Sequence, residues 1–185
     1  MISNTEPQNE GSQKLRHTVR RSVTIIASAL LIFVLFEAYQ FYKLSPKSLF
    51  DEKFKDYTVQ NSDSRDTTGT KIIKAYSEKK YDEVIKLHAD SVLSIKDIFL
   101  TGLSYLQVGE LSKAISNFQI VIVDEKEGSE LRNNAEFYLA LTYLKNRDYD
   151  LAIELMRKIH NDDSHLYKNE FTRKYINKVQ RLKWR

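Results

Sequence analysis

The sequence predicts an all-α chain: a stack of about three helical hairpins with a C-terminal capping helix, preceded by one transmembrane helix. Three observations predict it. The 185 residues include only five Gly and two Pro, too few turn formers for an all-β fold and suited to helices with short connections. Residues 22–36, SVTIIASALLIFVLF, carry no charge. Three stretches between residues 72 and 160 repeat one spacing of small and bulky side chains.

Length allows one ordinary domain plus a tail or an anchor. The absence of Cys excludes a disulfide framework, a Cys-type zinc site and a thiol nucleophile. Lys and Arg number 29 against 25 Asp and Glu, a charged fraction of 29% that suits a folded soluble domain over most of the length. The charge is uneven. Residues 1–21 hold Lys14, Arg16, Arg20 and Arg21 against Glu6 and Glu10. Residues 61–165 carry 14 basic and 18 acidic residues, and residues 166–185 carry seven basic residues against Glu170 alone. Two basic ends therefore flank a mildly acidic middle, so no nucleic-acid partner is expected for the fold as a whole.

Residues 1–21 read as a basic cytoplasmic tail and residues 22–42 as an uncleaved signal anchor. Twenty-one helical residues span roughly 31 Å, about one hydrocarbon thickness. Tyr39, Phe41 and Tyr42 gather at the far end, where amphipathic rings favour the headgroup region. The following EAYQFYK offers no small-x-small cleavage site. Arg20 and Arg21 abut the run and favour the N-terminus inside. The expected location is a bacterial inner membrane, single-pass, with the C-terminal domain periplasmic.

Residues 43–65 read as a linker, because Ser45, Pro46, Ser48, Asn61, Ser62, Asp63 and Ser64 interrupt any helical period. Within it, LFDEKFKDY (49–57) suits a short amphipathic turn near the membrane surface. Residues 66–185 then form the repeat domain. In 98–122 the pattern is Gly102, Tyr105, a Gly109–Glu110 turn, Ala114, Phe118 and Val121. In 136–160 it is Ala140, Tyr143, an Arg147–Asp148 turn, Ala152, Met156 and Ile159. A weaker copy at 72–92 has Ile72, Ala75, Lys79–Lys80, Val84, His88 and Ser91. Small residues let two helices approach closely, and Tyr105, Phe118, Tyr143 and Met156 fill the space left beside them.

This skeleton resembles the tetratricopeptide family of helical hairpin repeats over about residues 66–160. The family's closing Pro is missing from all three copies, and its early Trp position holds Ile98 or Glu136. The resemblance implies a right-handed superhelical stack. It also implies a concave groove for a protein or peptide ligand, lined by Ile73, Tyr76, Phe99, Leu103, Leu106, Gln107, Phe137, Leu141, Leu144 and Lys145. That lining is apolar and suits an amphipathic helix or apolar peptide. The bland alternative fills the same surface with the chain's own 166–183 helix or with a second copy of the chain.

Beyond the repeats, Leu166, Phe171, Tyr175, Ile176, Val179 and Leu182 suit one amphipathic helix with Ser164 or Asp163 as its N-cap. The acidic stretch DEKEGSELRNN (124–134) reads as a solvated loop leading into a helix. Phosphate-loop, dinucleotide and nucleophile-elbow motifs are missing, as is H-E-x-x-H. The densest ligand-like cluster, His160-Asn-Asp162-Asp163-Ser-His165, falls where one helix ends and another begins, and capping explains each residue. His88 occupies a position that wants a bulky core residue. No enzyme activity, metal or cofactor is expected.

The leading expectation is a non-catalytic, membrane-tethered protein-interaction scaffold, homo-oligomerisation being a further option. By overall plan it resembles small anchored repeat proteins of the bacterial envelope, among them accessory subunits of secretion and envelope-assembly complexes. A second reading is a transmembrane regulatory component whose tail contacts a cytoplasmic partner. A third makes the basic C-terminal segment, with Trp184, a contact for anionic lipid or nucleic acid.

Overall fold

In a computed structural model, the described residues are 23, 26–36, 38–39, 44–59, 67–89 and 94–184. Among them the regular elements are all α-helical and no strand occurs. The chain divides into two compact units, Met1–Leu44 and Ser45–Arg185.

The first unit contains α1, helical at residues 26–36 and 38–39. Its large apolar side chains from Ile26 to Phe36 are each more than half exposed, from 54% at Phe36 to 68% at Ile32. No helix of the described residues is long and apolar enough to cross a membrane. Residues 22, 24, 25, 37 and 40–42 of the expected span lie outside the described residues, as does the 1–21 tail.

The second unit runs α2 (Pro46–Lys53), α3 (Thr67–Ser77), α4 (Tyr81–Ala89), α5 (Ile95–Val108), α6 (Leu111–Asp124), α7 (Glu130–Asn146), α8 (Tyr149–Asn161) and α9 (Arg173–Leu182). Consecutive helices from α3 to α9 pack together, and α3, α5 and α7 also touch in series. The pairs α3/α4, α5/α6 and α7/α8 are thus hairpins, with α3, α5 and α7 forming one layer.

Local sequence sets these boundaries. The Ser94 hydroxyl accepts the Asp97 amide, and the Asp97 side chain reaches back to the Ser94 amide, so α5 starts with a capping box. It stops at Gly109, whose φ of 88° lies in the left-handed region that glycine enters without strain. Ser129 caps α7, which ends at Arg147 with φ 67°. The turns thus fall at the 109–110 and 147–148 pairs.

Packing follows the alternation of small and bulky residues. Ala114, Ala140 and Ala152 are fully buried, as are Phe118 and Met156. Gly102 is in the tightest place: a Cβ there would stand 2.9 Å from Phe118 Cε1 and 3.1 Å from Asn117 Cβ. Tyr143 is buried and its hydroxyl accepts a 3.1 Å hydrogen bond from Gln119. Tyr105 is half-buried beneath the Lys113 ammonium, 5.4 Å from the ring centre.

Two expectations need correction. The 43–65 stretch is not simply a linker, because Ser45, Pro46 and Ser48 are the start signal of α2 rather than helix breakers. Ser45 accepts the Ser48 amide, Ser48 returns the bond, and Pro46 sits in the first turn. The C-terminal helix starts later than expected, at Arg173, with Thr172 as N-cap. Residues 162–171 make turns instead, opened by Asp162 accepting both the amide and the hydroxyl of Ser164. This bend sends Phe171 and His165 into the core and stacks Tyr167 on Phe137 at 4.1 Å.

Candidate functional site: the covered inner face

The layer of α3, α5 and α7 carries every residue expected to line a groove. Tyr76, Phe99, Leu103, Leu106, Phe137, Leu141 and Leu144 are buried, while Ile73, Gln107 and Lys145 are half-buried. One helical layer cannot bury its own outward face. A second surface must lie on it, and part of that surface is residues 49–59.

This strap combines a short helix with an extended run. Leu49 and Phe50 of α2 are buried, and α2 packs on α7 and α9. Tyr57 meets Phe99 edge-on, with ring centres 5.0 Å apart, and Phe54 meets Tyr138 edge-on at 6.0 Å. Such aromatic pairs add about 0.5–1.5 kcal/mol beyond area burial. Polar bonds hold the strap's backbone. Tyr138 donates to the Lys55 carbonyl at 2.8 Å, and Tyr175 donates to the Leu49 carbonyl at 2.7 Å. Burial pushes the pKa of both tyrosines up, so they stay hydroxyl donors.

Charged groups fasten its ends. Asp56 accepts from Gln107 at 3.1 Å and from Lys79 at 2.7 Å. Lys53 and Lys55 both reach Glu170 at 3.1 Å. Burial works against the Glu170 charge, but the hydrogen bonds from Lys53 and Lys55 outweigh it and hold its pKa below the ordinary glutamate value. Lys145 donates to the Leu106 carbonyl at 3.2 Å and lies 4.8 Å from the Phe50 ring centre. Burial lowers its pKa.

So the face has two occupants: residues 49–59 reach across α5 and α7, and Tyr167 and Phe171 of the 166–183 stretch named by sequence reasoning stack on Phe137, while α9 itself packs on α8 and α2. Leu49, Phe50, Phe54 and Tyr57 were the available signal, four large apolar residues in nine positions. A cavity of about 210 Å³ opens at the strap's end, lined by Asp56 to Val59 together with Tyr76, Ser77, Lys79 and Tyr81.

A buried polar cluster braces the far side of α7. Glu136 accepts from Arg132 at 3.1 Å and from Lys158 at 2.9 Å, and His165 Nε2 lies 3.7 Å away. His165 Nδ1 accepts the Tyr167 amide at 3.1 Å, which leaves the proton on Nε2. Burial lowers the His165 pKa, with Glu136 opposing. The other members of the 160–165 cluster also have protein contacts. Asp163 pairs with Lys168 at 2.7 Å, and His160 Nδ1 lies 3.3 Å from the Lys168 carbonyl. Among the described residues no group of three or more His, Cys, Asp or Glu is placed to hold a metal ion. His88 on α4 is half-buried, and burial lowers its pKa.

The chain matches no family model, no curated protein and no solved structure. The functional reading therefore rests on its own residues.

Proposed function

We propose that this protein is a non-catalytic, membrane-tethered interaction scaffold of tetratricopeptide-like hairpins. Its inner face is a peptide-binding surface preloaded with the chain's own 46–59 segment. Support for the tether is the run of large apolar side chains from Ile26 to Phe36, all more than half exposed on α1. A helix apolar on every side needs lipid or protein around it. Arg20 and Arg21 set the N-terminus inside and the repeat domain in the periplasm. Tethering confines the domain to a plane, so weak contacts with other membrane-bound partners suffice.

The observation that carries the binding role is the strap itself. It is held as a ligand peptide would be: aromatic side chains against the face, and backbone carbonyls of Leu49 and Lys55 capped by tyrosine hydroxyls. A protein or peptide partner with similarly spaced aromatic residues competes for the same surface. Service to a secretion or envelope-assembly complex, and coupling to a cytoplasmic partner through residues 1–21, are special cases of this role.

The test is in-cell photo-crosslinking from Gln107 and Lys145, both half-buried at the strap, in the wild type and in Phe54→Ala/Tyr57→Ala. Loosening the strap raises foreign crosslinks several-fold. If crosslinks to foreign proteins are equal in both, the preloaded-groove reading fails. A reporter fused after Arg185 tests the orientation.

A further inference from the structure

We propose that α9 is an electrostatic docking surface for anionic lipid, made by Arg173, Lys174, Arg181 and Trp184. The choice of a lipid partner rests on the tether reading above.

Helix α9 leaves one face outward. Tyr175, Ile176, Val179 and Leu182 are buried and define the inner side. At 100° per residue the opposite side presents Arg173, Lys174, Asn177 and Arg181, all exposed. Trp184, just beyond the helix, is 80% exposed on the same line. α9 contains no acidic residue.

The basic residues divide by position. Lys178 and Lys183, at the flanks, are neutralised by Glu52 at 3.0 Å and Asp150 at 2.6 Å. Arg173, Lys174 and Arg181 have no acidic partner among the described residues. Where α8 ends and α9 begins, a cleft of about 330 Å³ is lined by Arg157, His160, Asn161, Arg173, Ile176 and Asn177. Two guanidinium groups in one open cleft suit a phosphate, which takes paired N–H donors.

Lipid is favoured over other polyanions by two features. An exposed indole next to cations is the arrangement that settles at a headgroup layer. The tether proposed above also makes a bilayer the polyanion at the highest local concentration around this domain.

Trp184 is the only tryptophan, so its fluorescence reports this face directly. The full chain is reconstituted in neutral phosphatidylcholine vesicles and in vesicles that also contain phosphatidylglycerol. With phosphatidylglycerol the Trp184 emission shifts to the blue and is quenched by brominated lipid. Raised salt reverses both effects, and Arg173→Glu/Lys174→Glu/Arg181→Glu abolishes them. Equal emission in the two vesicle types overturns the proposal. So does a response that survives the triple variant, or one given by duplex DNA and not by lipid. A chain that fails to float with neutral vesicles removes the tether instead. In that case the Trp184 response to added anionic vesicles still decides the role of α9.

Discussion

The Tyr138 hydroxyl donates a 2.8 Å hydrogen bond to the carbonyl of Lys55, 83 residues earlier in the chain. Tyr138 belongs to the core, at 3% exposed, whereas Lys55 lies on an exposed extended run. One bond thus joins the centre of the repeat stack to the segment laid over it.

Removing that hydroxyl tests the strap. Tyr138→Phe keeps the ring and leaves one carbonyl without its donor, costing about 0.5–1.5 kcal/mol. Denaturant unfolding reads the loss. Hydrogen exchange at residues 54–59 rises more than exchange in α5 or α7. Uniform exchange across the domain would mean that the strap is not a separately opening unit.

Leu103→Asp and Leu141→Asp now carry a different expectation from a simple groove mutation. Both leucines are at most 1% exposed. A carboxylate in either place costs several kcal/mol, because burial without a partner penalises the charge. Circular dichroism should show loss of helix or a large fall in melting temperature. Intact helix with lost partner capture would return these residues to an open groove.

Gly102 and Gly109 separate two reasons for glycine. Gly102→Ala places a methyl 2.9 Å from Phe118 Cε1, and overpacking of this kind costs about 1–3 kcal/mol. Gly109→Ala meets nothing within 4 Å but must hold φ near 88°, which costs about 1 kcal/mol. Phe118→Leu should partly rescue Gly102→Ala in thermal melts and leave Gly109→Ala unchanged.

Acid should weaken the domain through His165. Its folded pKa lies below the ordinary value of 6.5, with burial as the first cause. The unfolded chain therefore binds the proton more readily, and stability is complete above about pH 6.5 and falls as pH drops below it. His88 shifts in the same direction and for the same first reason. Melting temperature against pH should fall in that window, and His165→Gln should flatten part of the slope. A wild-type curve that is level between about pH 7.5 and pH 5.5, one unit either side of the ordinary histidine value, would contradict the burial of these rings.

The hairpins were legible in the sequence because packing needs the alternation directly. Gly102 beneath Phe118, and Ala140 and Ala152 at full burial, are where a small–bulky period puts them. The strap was not legible as part of the fold. Leu49 and Phe50 sit on a helix, while Phe54 and Tyr57 sit on extended chain. No single period joins them, and Ser45–Pro46 marks both a break and a helix start. The C-terminal start was hidden for a related reason. Phe171 fits the helical spacing of Tyr175 and Val179, yet it precedes the Thr172 cap and anchors a turn against Phe137 at 5.3 Å. The inner face looked open because sequence shows which helix side is apolar and not what lies on it.

The strap also has a mechanical consequence. A pull on the chain at residue 44 arrives first at the Ser45 cap. From there the load divides between Tyr175, which grips Leu49, and Tyr138, which grips Lys55. These two handles belong to the terminal helix and to the last hairpin. Tension therefore reaches α9 and α7 before it reaches α3 and α4.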